Sequence, residues 1–369
     1  MNNLRGLWSG SMLMGISMMT MMQNAPIVAV LFGASFTDVG FMMGFVRNLP
    51  YVVLSPLTAY LLSRISWNMP LPLSGLLMVV STALMYVASD LVSVLLSQLV
   101  MGVAMFCFFP CGESIVSQSY GESGRLKAFS LFLSAVSGGF LLGSILSGVV
   151  AYLFGIRQIF ALAAALSAMA CILFTRTKTQ QSTTINTNIK PEIKTTFPIL
   201  YSTPYFLILA ASYAVFPGYL VLQGFTELDV GLLFFALMLS RVLTSFSLSR
   251  IKPEKVKKLL TILSGVTALT LLITAYNPSQ LMLHAVLLIL VGAVVSIAYV
   301  LTLYLISGKP GGQNPVLLIG MFEALIGSSF LVGPLLAGFL TDFYGFTSAL
   351  LVFGISMIVG GVFSVRQRV

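Results

Sequence analysis

Long apolar segments, separated by short polar stretches, follow one another along nearly the whole chain, and this pattern limits the possible folds more than any other feature of the sequence. Hydrophobic residues make up 58% of the 369 residues and charged residues 8%, whereas about a quarter of the residues in a typical soluble domain are charged. Lipid offers the backbone no hydrogen bonds, so segments of this kind must be helices. The sequence therefore predicts an all-α integral membrane protein.

Twelve transmembrane helices are predicted when the apolar runs are divided at Gly, Pro, Asn and charged residues. A membrane-spanning helix needs roughly 20 residues. The predicted helices cover residues 8–33, 38–62, 70–88, 91–116, 128–152, 158–175, 198–222, 229–248, 258–275, 280–306, 315–341 and 346–364. Almost no sequence is left for a soluble domain. No G-x-x-x-x-G-K-[ST] phosphate loop occurs, which argues against a nucleotide-driven pump.

The Lys and Arg residues lie almost entirely on one side of the predicted membrane. With the N-terminus placed inside, Arg157 alone lies in an outer loop, and Arg47 and Arg241 lie within helices. The inner residues are Arg5, Arg64, Arg125, Lys127, Arg176, Lys178, Lys190, Lys194, Arg250, Lys252, Lys255, Lys257, Lys258, Lys309, Arg366 and Arg368. Because cytoplasmic loops are rich in Lys and Arg, we expect a multi-pass plasma-membrane protein with both termini in the cytoplasm. The net charge of +9 then reflects topology and implies no nucleic-acid partner.

A hydrophilic stretch near the middle of the chain divides it into two halves. The segment reads TRTKTQQSTTINTNIKPEIKTTF and lies between the sixth and seventh predicted helices. Segments rich in Thr, Asn, Gln and Lys behave as flexible linkers. We expect an N-terminal six-helix half at 1–175, a cytoplasmic linker at 176–197 and a C-terminal six-helix half at 198–369.

The two halves contain an internal repeat. The matching pairs are SGGFLLGSILSGVVAYLFGI at 137–156 with GSSFLVGPLLAGFLTDFYGF at 327–346, D-V-G at 38–40 with 229–231, and L-S-R-I at 62–65 with 248–251. Matches in the same order at nearly the same spacing indicate a duplicated unit. These pairs are offset by 190, 191 and 186 residues, respectively; the longest pair gives a register of 190 residues, and helix 8 is about five residues shorter than helix 2 between its aspartate and its L-S-R-I. Asp38 and Asp229 begin equivalent helices, where an acid is favoured at the N-terminus, so both are expected to be helix caps.

The segment that follows the second predicted helix resembles the signature of the major facilitator superfamily. That signature reads G-x-L-x-D-R-x-G-R-R, and residues 59–68 read AYLLSRISWN. Leu61 and Arg64 are kept, whereas Ser63 replaces the aspartate. The resemblance extends over essentially the whole chain, because the helix count and the repeat also fit this family.

Two further motifs support the resemblance. LPYVVLSPL at 49–57 is similar to the L-P-x-x-x-x-S-P-L stretch of efflux members, and the G-P-x-x-G-G element of antiporters appears as GSILSG at 143–148 and GPLLAG at 333–338. The resemblance implies two pseudo-symmetric six-helix halves that rock about a site near the middle of the membrane.

Small residues in the fifth and eleventh predicted helices allow close helix packing. In the resembled family, the two halves slide on each other at these positions, and small residues spaced along a helix let backbones approach. The residues concerned are Gly139, Gly143, Gly148, Gly333 and Gly338. Ordinary packing within one half is the alternative.

Five ionisable residues lie inside predicted helices, where each needs a partner or a water-filled cavity. They are Arg47, Glu113, Arg241, His284 and Glu323. Glu113 is near the cytoplasmic end of its helix, at the level of Arg64. The resemblance implies a gate contact between these two residues in the outward-facing state; a solvated interfacial acid is the alternative. A lone histidine such as His284 is more often a packing group.

Arg47 and Arg241 lie in equivalent helices, although not at one depth. Arginine suits carboxylates and oxyanions, and guanidinium groups in these helices resemble the pattern of family members that carry small anions. The alternative is that each arginine neutralises an acid or reaches an interface. Glu323 lies at a depth similar to that of Arg241, so it is expected either to carry the coupling proton or to form a static ion pair.

Uncharged polar residues and sulfur-containing residues complete the candidates. Asn24 and Gln223 are expected to line the cavity, with hydrogen bonding between helices as the alternative. Cys107 and Cys111 lie one helical turn apart near many methionines, but such residues more often fill apolar gaps than bind Cu(I). No metal or cofactor is expected.

A secondary transporter is the leading functional hypothesis. We expect a monomer, and no enzyme, that binds a small-molecule substrate and protons within the lipid bilayer and exports a small organic solute by alternating access and proton antiport. One alternative is a small-anion transporter that uses Arg47 and Arg241; another is a non-transporting receptor or scaffold with this fold. An intramembrane enzyme would need paired acids near a membrane face, and the sequence places only Glu227 and Asp229 close together.

The charge distribution predicts on which side of the membrane the linker lies. A single cysteine introduced into residues 176–197 should react with an impermeant thiol reagent only from the cytoplasmic side. A cysteine in the loop around residue 345, predicted to be outside, should show the opposite labelling. Labelling of the linker from the outside alone would overturn the predicted topology.

Overall fold

The structure, a computed structural model, describes residues 5–64, 66, 68–119, 122–177, 201–248, 253–307 and 315–366. In these ranges the backbone is helical apart from short turns. Apart from residues 176 and 177, the predicted linker falls outside the described residues, so the proposed boundaries of the halves remain predictions.

Within the described ranges, twelve helical segments, α1 to α12, are present at the predicted places, and none of their ends differs from the prediction by more than six residues. The uninterrupted helices are α1 (Arg5–Leu31), α3 (Pro70–Tyr86), α4 (Leu91–Ser119), α5 (Glu122–Phe154), α6 (Ile156–Thr175), α8 (Glu227–Leu248), α9 (Pro253–Tyr276), α10 (Leu281–Ser307), α11 (Pro315–Tyr344) and α12 (Phe346–Arg366). Helix α2 covers 36–64 with internal changes of helix type, and α7 consists of Thr203–Ala214 and Phe216–Leu222.

The lengths and composition of these helices fit a membrane protein. Within the described ranges, nine helices are long and apolar enough to cross a membrane, or ten if the two parts of α7 form one span. Helix α3 is apolar and 17 residues long, and α2 is interrupted. The predicted all-α membrane fold is therefore confirmed.

Helix α2 is wound irregularly just before Arg47. Pro50 lacks an N–H and its ring crowds the carbonyl four residues earlier, and the preceding segment Phe41–Val46 is a π-helix. The Asn48 amide donates to the carbonyl oxygens of Met43 and Gly44 at 3.0 and 2.9 Å. The same amide donates to the Phe330 carbonyl of α11 at 3.1 Å, which ties this segment to the other half.

Backbone contacts repeat between the first half, α1–α6, and the second half, α7–α12. Gly102 of α4 packs against the Arg47 carbonyl of α2, and Gly292 of α10 packs against the Leu237 carbonyl of α8. Both members of the second pair occupy the positions equivalent to those of the first in the register of the repeat. The sequence repeat is therefore also a structural repeat.

The two halves contact each other through two pairs of helices, α5 with α8 and α11 with α2. The repeat makes the first pair equivalent to the second. Gly148 of α5 packs against Gly231 and the Glu227 carbonyl of α8, and Gly338 of α11 packs against the Phe36 carbonyl of α2. These contacts lie at one end of the bundle, formed by the loops at 32–35, 87–90, 155, 223–226, 277–280 and 345. We call this the closed end.

The remaining predicted packing glycines lie against neighbours in their own half. Gly139 and Gly143 of α5 face α1, where they contact the backbone of Met12 and Ile16, and Gly333 of α11 faces the Leu207 carbonyl of α7. Close helix approach therefore occurs both within and between the halves, and its role in sliding remains a prediction.

Asp342 adds a polar contact between the halves at the closed end. Its carboxylate accepts hydrogen bonds from the backbone N–H groups of Phe36 and Thr37, at 3.1 and 2.6 Å, and from the Thr37 hydroxyl at 2.6 Å. It thus caps the N-terminus of α2 from α11, in addition to the Ser35–Asp38 capping box within α2. Asp229 makes the equivalent box with Thr226 on α8, so both predicted caps are confirmed.

The contact at Gly338 predicts how the closed end can be opened. In Gly338→Ala, the new methyl group would occupy the position of the Phe36 carbonyl, so α2 and α11 must separate. Spin labels on cysteines replacing the exposed Ser89 and Ser279, in a background without the native cysteines, should report a longer distance between the halves.

Gly138→Ala is the matched control for this experiment. Gly138 has no atom within 4 Å of the position where a Cβ would be added, so the distance should not change. An unchanged distance in Gly338→Ala as well would show that helix approach at Gly338 does not hold the closed end together.

Candidate functional site

Two arginines from opposite halves converge on one tyrosine near the middle of the bundle. The Tyr213 side chain of α7 lies beside Arg241 of α8, within hydrogen-bonding reach, and within electrostatic reach of Arg47 of α2. Arg47 is fully buried. None of its three guanidinium nitrogens has a hydrogen-bond partner among the described residues. We call these three residues the arginine cluster.

Aromatic packing fixes the position of Tyr213. Its ring stacks on Phe234 at a centroid distance of 5.6 Å and lies 6.2 Å from the ring of Phe330. Its hydroxyl lies 3.9 Å from the sulfur of Met238. Apolar side chains therefore hold the Tyr213 phenol in place, and the two arginines are its charged neighbours.

The repeat explains the different depths of the two arginines. In its register Arg47 corresponds to Leu237, and Arg241 corresponds to Tyr51. Arg241 therefore lies four residues further along its helix than the equivalent of Arg47, or roughly 6 Å. The two guanidinium groups can approach one ligand from different levels.

A second polar group joins the halves nearby. Tyr51 of α2 donates a hydrogen bond to Oε2 of Glu323 on α11, and Tyr299 of α10 donates to Oε1 of Glu113 on α4 at 3.5 Å. Each tyrosine thus contacts the acid of the other half. We call these four residues the carboxylate cluster.

The carboxylate cluster lies in apolar surroundings. Glu113 and Glu323 are only 3% and 4% exposed. The ring of Tyr299 packs against Phe322 at 5.3 Å and Phe206 at 6.3 Å. Two ionised carboxylates would be costly here, so the cluster is suited to holding at least one proton or a compensating positive charge.

Tyr299 connects the two clusters. It lies within electrostatic reach of Glu113, Glu323 and Arg241. The sequence predicted that Arg241 and Glu323 share one site; among the described residues no ion pair joins them, and Tyr299 lies within electrostatic reach of both. Charge changes in one cluster are therefore felt in the other.

The gate contact predicted for Arg64 and Glu113 is not formed in this state. Arg64 is exposed at the end of α2, and its guanidinium lies 5.6 Å from the ring centroid of Tyr60. Glu113 is buried against Tyr299. The prediction concerned the conformation in which the other end of the bundle closes, and it remains a prediction for that conformation.

Among the described residues, the remaining predicted site residues make no hydrogen bond to either cluster. Asn24 is buried and donates to the Thr20 carbonyl at 3.0 Å, and Gln223 is exposed at the end of α7 near the closed end. His284 packs at 5.9 Å from Phe216, as a packing group would.

Sequence reasoning missed the three tyrosines that organise the clusters. Tyr51, Tyr213 and Tyr299 are uncharged, and tyrosine is common in apolar helices, so composition does not single them out. The repeat offers a signal for one of them, since Tyr51 occupies the position equivalent to Arg241. In the described part of the chain, no group of three or more His, Cys, Asp or Glu residues could hold a metal ion.

Comparison with known proteins agrees with this architecture. The family model of the Major Facilitator Superfamily matches residues 7–315. A bacterial homologue of the human lysosomal transporter Spinster is 14% identical, with 98% of this chain and 95% of that chain covered and a TM-score of 0.75. No curated protein sequence matches the chain.

Two further solved structures have a similar fold. The nucleoside transporter NupG is 14% identical, with both chains fully covered and a TM-score of 0.74. The human organic anion transporter MFSD10 is 13% identical, with 98% of each chain covered and a TM-score of 0.71. At these identities the similarity establishes the fold.

The buried guanidinium of Arg47 predicts an effect on stability. Removing an uncompensated buried charge should stabilise the ligand-free protein, because an apolar side chain of similar size is not penalised for leaving water. Arg47→Met should raise the midpoint of thermal unfolding in detergent; a gain of about 1 kcal/mol corresponds to roughly 2 °C.

Arg157→Met provides the comparison. Arg157 is exposed and donates to the Ala88 carbonyl at 3.3 Å, so its replacement should give no gain. A midpoint for Arg47→Met at or below that of the parent protein would mean that the guanidinium is compensated by a group not described above.

Proposed function

Since this chain belongs to the major facilitator superfamily, we propose that it is a secondary active transporter that moves a small organic solute by alternating access and couples this movement to protons. It is a multi-pass integral membrane protein, and neither its family nor the similar structures are enzymes. The observation that carries the proposal is the pair of tyrosine–glutamate hydrogen bonds that cross between the halves.

Alternating access requires contacts that form at one end of the bundle and break at the other. Asp342 and the glycine contacts join the halves at the closed end. With both termini in the cytoplasm, as the charge distribution predicts, the closed end faces the outside. We therefore assign the described conformation as closed to the outside. Because one chain contains both halves, a monomer in the plasma membrane is sufficient for this cycle.

Proton coupling is assigned to the carboxylate cluster. A protonated carboxyl group can donate a hydrogen bond, whereas an ionised one only accepts. The bonds from Tyr51 and Tyr299 therefore depend on whether Glu323 and Glu113 carry a proton. Since both bonds join the halves, proton binding changes the contact that must break when the halves move apart.

The direction of coupling depends on how the solute and the proton affect each other. Export in exchange for protons, which LPYVVLSPL favours by resemblance, requires that the two displace each other. Movement in the same direction requires that each favours binding of the other. The charge of the solute decides between these modes.

Glu323→Gln should separate proton coupling from solute movement. In proteoliposomes, an imposed pH gradient should drive accumulation of at least one solute from a panel of small organic molecules, and the variant should lose this accumulation. It should keep exchange of labelled for unlabelled solute, because exchange needs the movement of the halves but no net proton transfer.

Glu227→Gln is the control, since Glu227 begins α8 at the closed end, away from both clusters. It should retain gradient-driven accumulation. Accumulation that persists in Glu323→Gln and in Glu113→Gln would remove the carboxylate cluster from the coupling mechanism.

A further inference from the structure

The guanidinium of Arg47 is enclosed without a counter-charge. It is fully buried, and all three nitrogens lack a hydrogen-bond partner within the described residues. A charged group in the membrane interior is costly unless a partner or water compensates it. The carboxylates that could have paired with it, Glu113 and Glu323, are engaged by Tyr299 and Tyr51 instead.

Among the described residues, the titratable group within electrostatic reach of Arg47 is a phenol and not an acid. Tyr213 lies within hydrogen-bonding reach of Arg241 and within electrostatic reach of Arg47, and its hydroxyl is a neutral hydrogen-bond donor. Two guanidinium groups and a phenol that converge from opposite halves form a site rich in donors. Such a site suits oxygen atoms that carry negative charge.

We propose that the transported solute is an anion, and that its carboxylate or similar oxyanion group binds between Arg47 and Arg241 with Tyr213 as the third donor. This inference rests on the transporter function proposed above and names its substrate class. The guanidinium group presents paired N–H donors that match two oxygens of one carboxylate. A planar or branched oxyanion fits this pattern better than a neutral amide does.

The position of the site links anion binding to movement of the halves. Arg47 belongs to the first half, whereas Tyr213 and Arg241 belong to the second. An anion held by both arginines neutralises a repulsion between the halves at this level. Binding therefore favours the conformation in which the halves approach each other around the anion.

The same geometry determines the sign of proton coupling. The titratable or charged side chains that face the two clusters in the described structure are Arg47 and Tyr51 of α2, Glu113 of α4, Tyr213 of α7, Arg241 of α8, Tyr299 of α10 and Glu323 of α11. Negative charge on the solute repels ionised carboxylates, so protonation of the carboxylate cluster and binding of the anion favour each other.

The solute and the proton are therefore expected to cross the membrane together. This replaces the antiport predicted from the sequence, because exchange requires that the two displace each other. Charges about 10 Å apart at an effective dielectric constant of about 20 change a binding constant by roughly tenfold.

The binding site can be tested with matched anions and amides on the full-length protein in detergent. The panel pairs acetate with acetamide, lactate with lactamide and benzoate with benzamide, and adds nitrate and inorganic phosphate. At least one anion should raise the midpoint of thermal unfolding, and none of the amides should.

Variants of the arginine cluster assign the effect to a site. Arg47→Gln and Arg241→Gln should each weaken the affinity for that anion by at least about tenfold, as expected for lost charged hydrogen bonds. Tyr213→Phe should have a smaller effect in the same direction, and Arg157→Gln should have none. Stabilisation by no anion, or stabilisation that survives both Arg47→Gln and Arg241→Gln, would overturn the proposed site.

A separate measurement tests whether the anion and the proton favour or oppose each other's binding. Addition of the bound anion to weakly buffered protein should cause proton uptake, and affinity should rise roughly tenfold from alkaline to mildly acidic pH. The double variant Glu113→Gln and Glu323→Gln, which resembles the protonated cluster, should bind the anion tightly at both pH values and take up no protons. Proton release on binding would contradict the shared direction.

These outcomes separate the two proposals. If a pH gradient drives a neutral solute and the arginine variants leave its transport unchanged, the anion site is wrong while proton-coupled transport stands. If an anion binds through Arg47 and Arg241 but no pH gradient moves it, the anion site stands and the proton coupling is wrong.

Discussion

The high cost of an ionisable side chain in lipid determines where function can lie in this protein. A charged group inside the bilayer needs a partner, a protein-lined cavity or water. Arg47, Glu113 and Glu323 are buried and Arg241 is half-buried, and each of the four has a tyrosine within electrostatic or hydrogen-bonding reach. The surface along which the halves must move is therefore also the surface that holds the charges. Movement of the halves and changes in protonation act on the same contacts.

The scaffold is nearly symmetric, whereas its chemistry is not. Backbone contacts such as those of Gly102 and Gly292 recur at positions that the repeat makes equivalent. The polar residues do not recur, because Leu237 stands at the position equivalent to Arg47. At the closed end, Asp342 caps α2 from the other half, while the equivalent position on α5 is Tyr152, which is exposed. The repeat accounts for the recurring backbone contacts, and different residues at single equivalent positions make the two halves chemically different.

The sequence predicted the fold well because composition, charge and repeats act at the length scale of whole helices. It predicted the candidate site less completely. Counting residues placed Arg241 and Glu323 at similar depth, but depth does not reveal the rotation of each helix, and Glu323 accepts its hydrogen bond from Tyr51 rather than from Arg241. The π-helix before Arg47 changes that rotation within α2. Tyrosines that complete a polar cluster carry no charge that would distinguish them from other residues in apolar helices.

The carboxylate cluster and the arginine cluster carry opposite charge, and each needs a different ligand to neutralise it. The carboxylate cluster has excess negative charge when it loses its proton, and the arginine cluster has excess positive charge while it is empty. If the clusters neutralised each other directly, both would be satisfied without ligands and the halves would be held by a static ion pair. In the described structure the two glutamates accept hydrogen bonds from Tyr51 and Tyr299 instead. Each cluster therefore keeps its need for a ligand, which in the proposed cycle is a proton on one side and an anion on the other, and in that cycle this unmet need allows binding to drive movement.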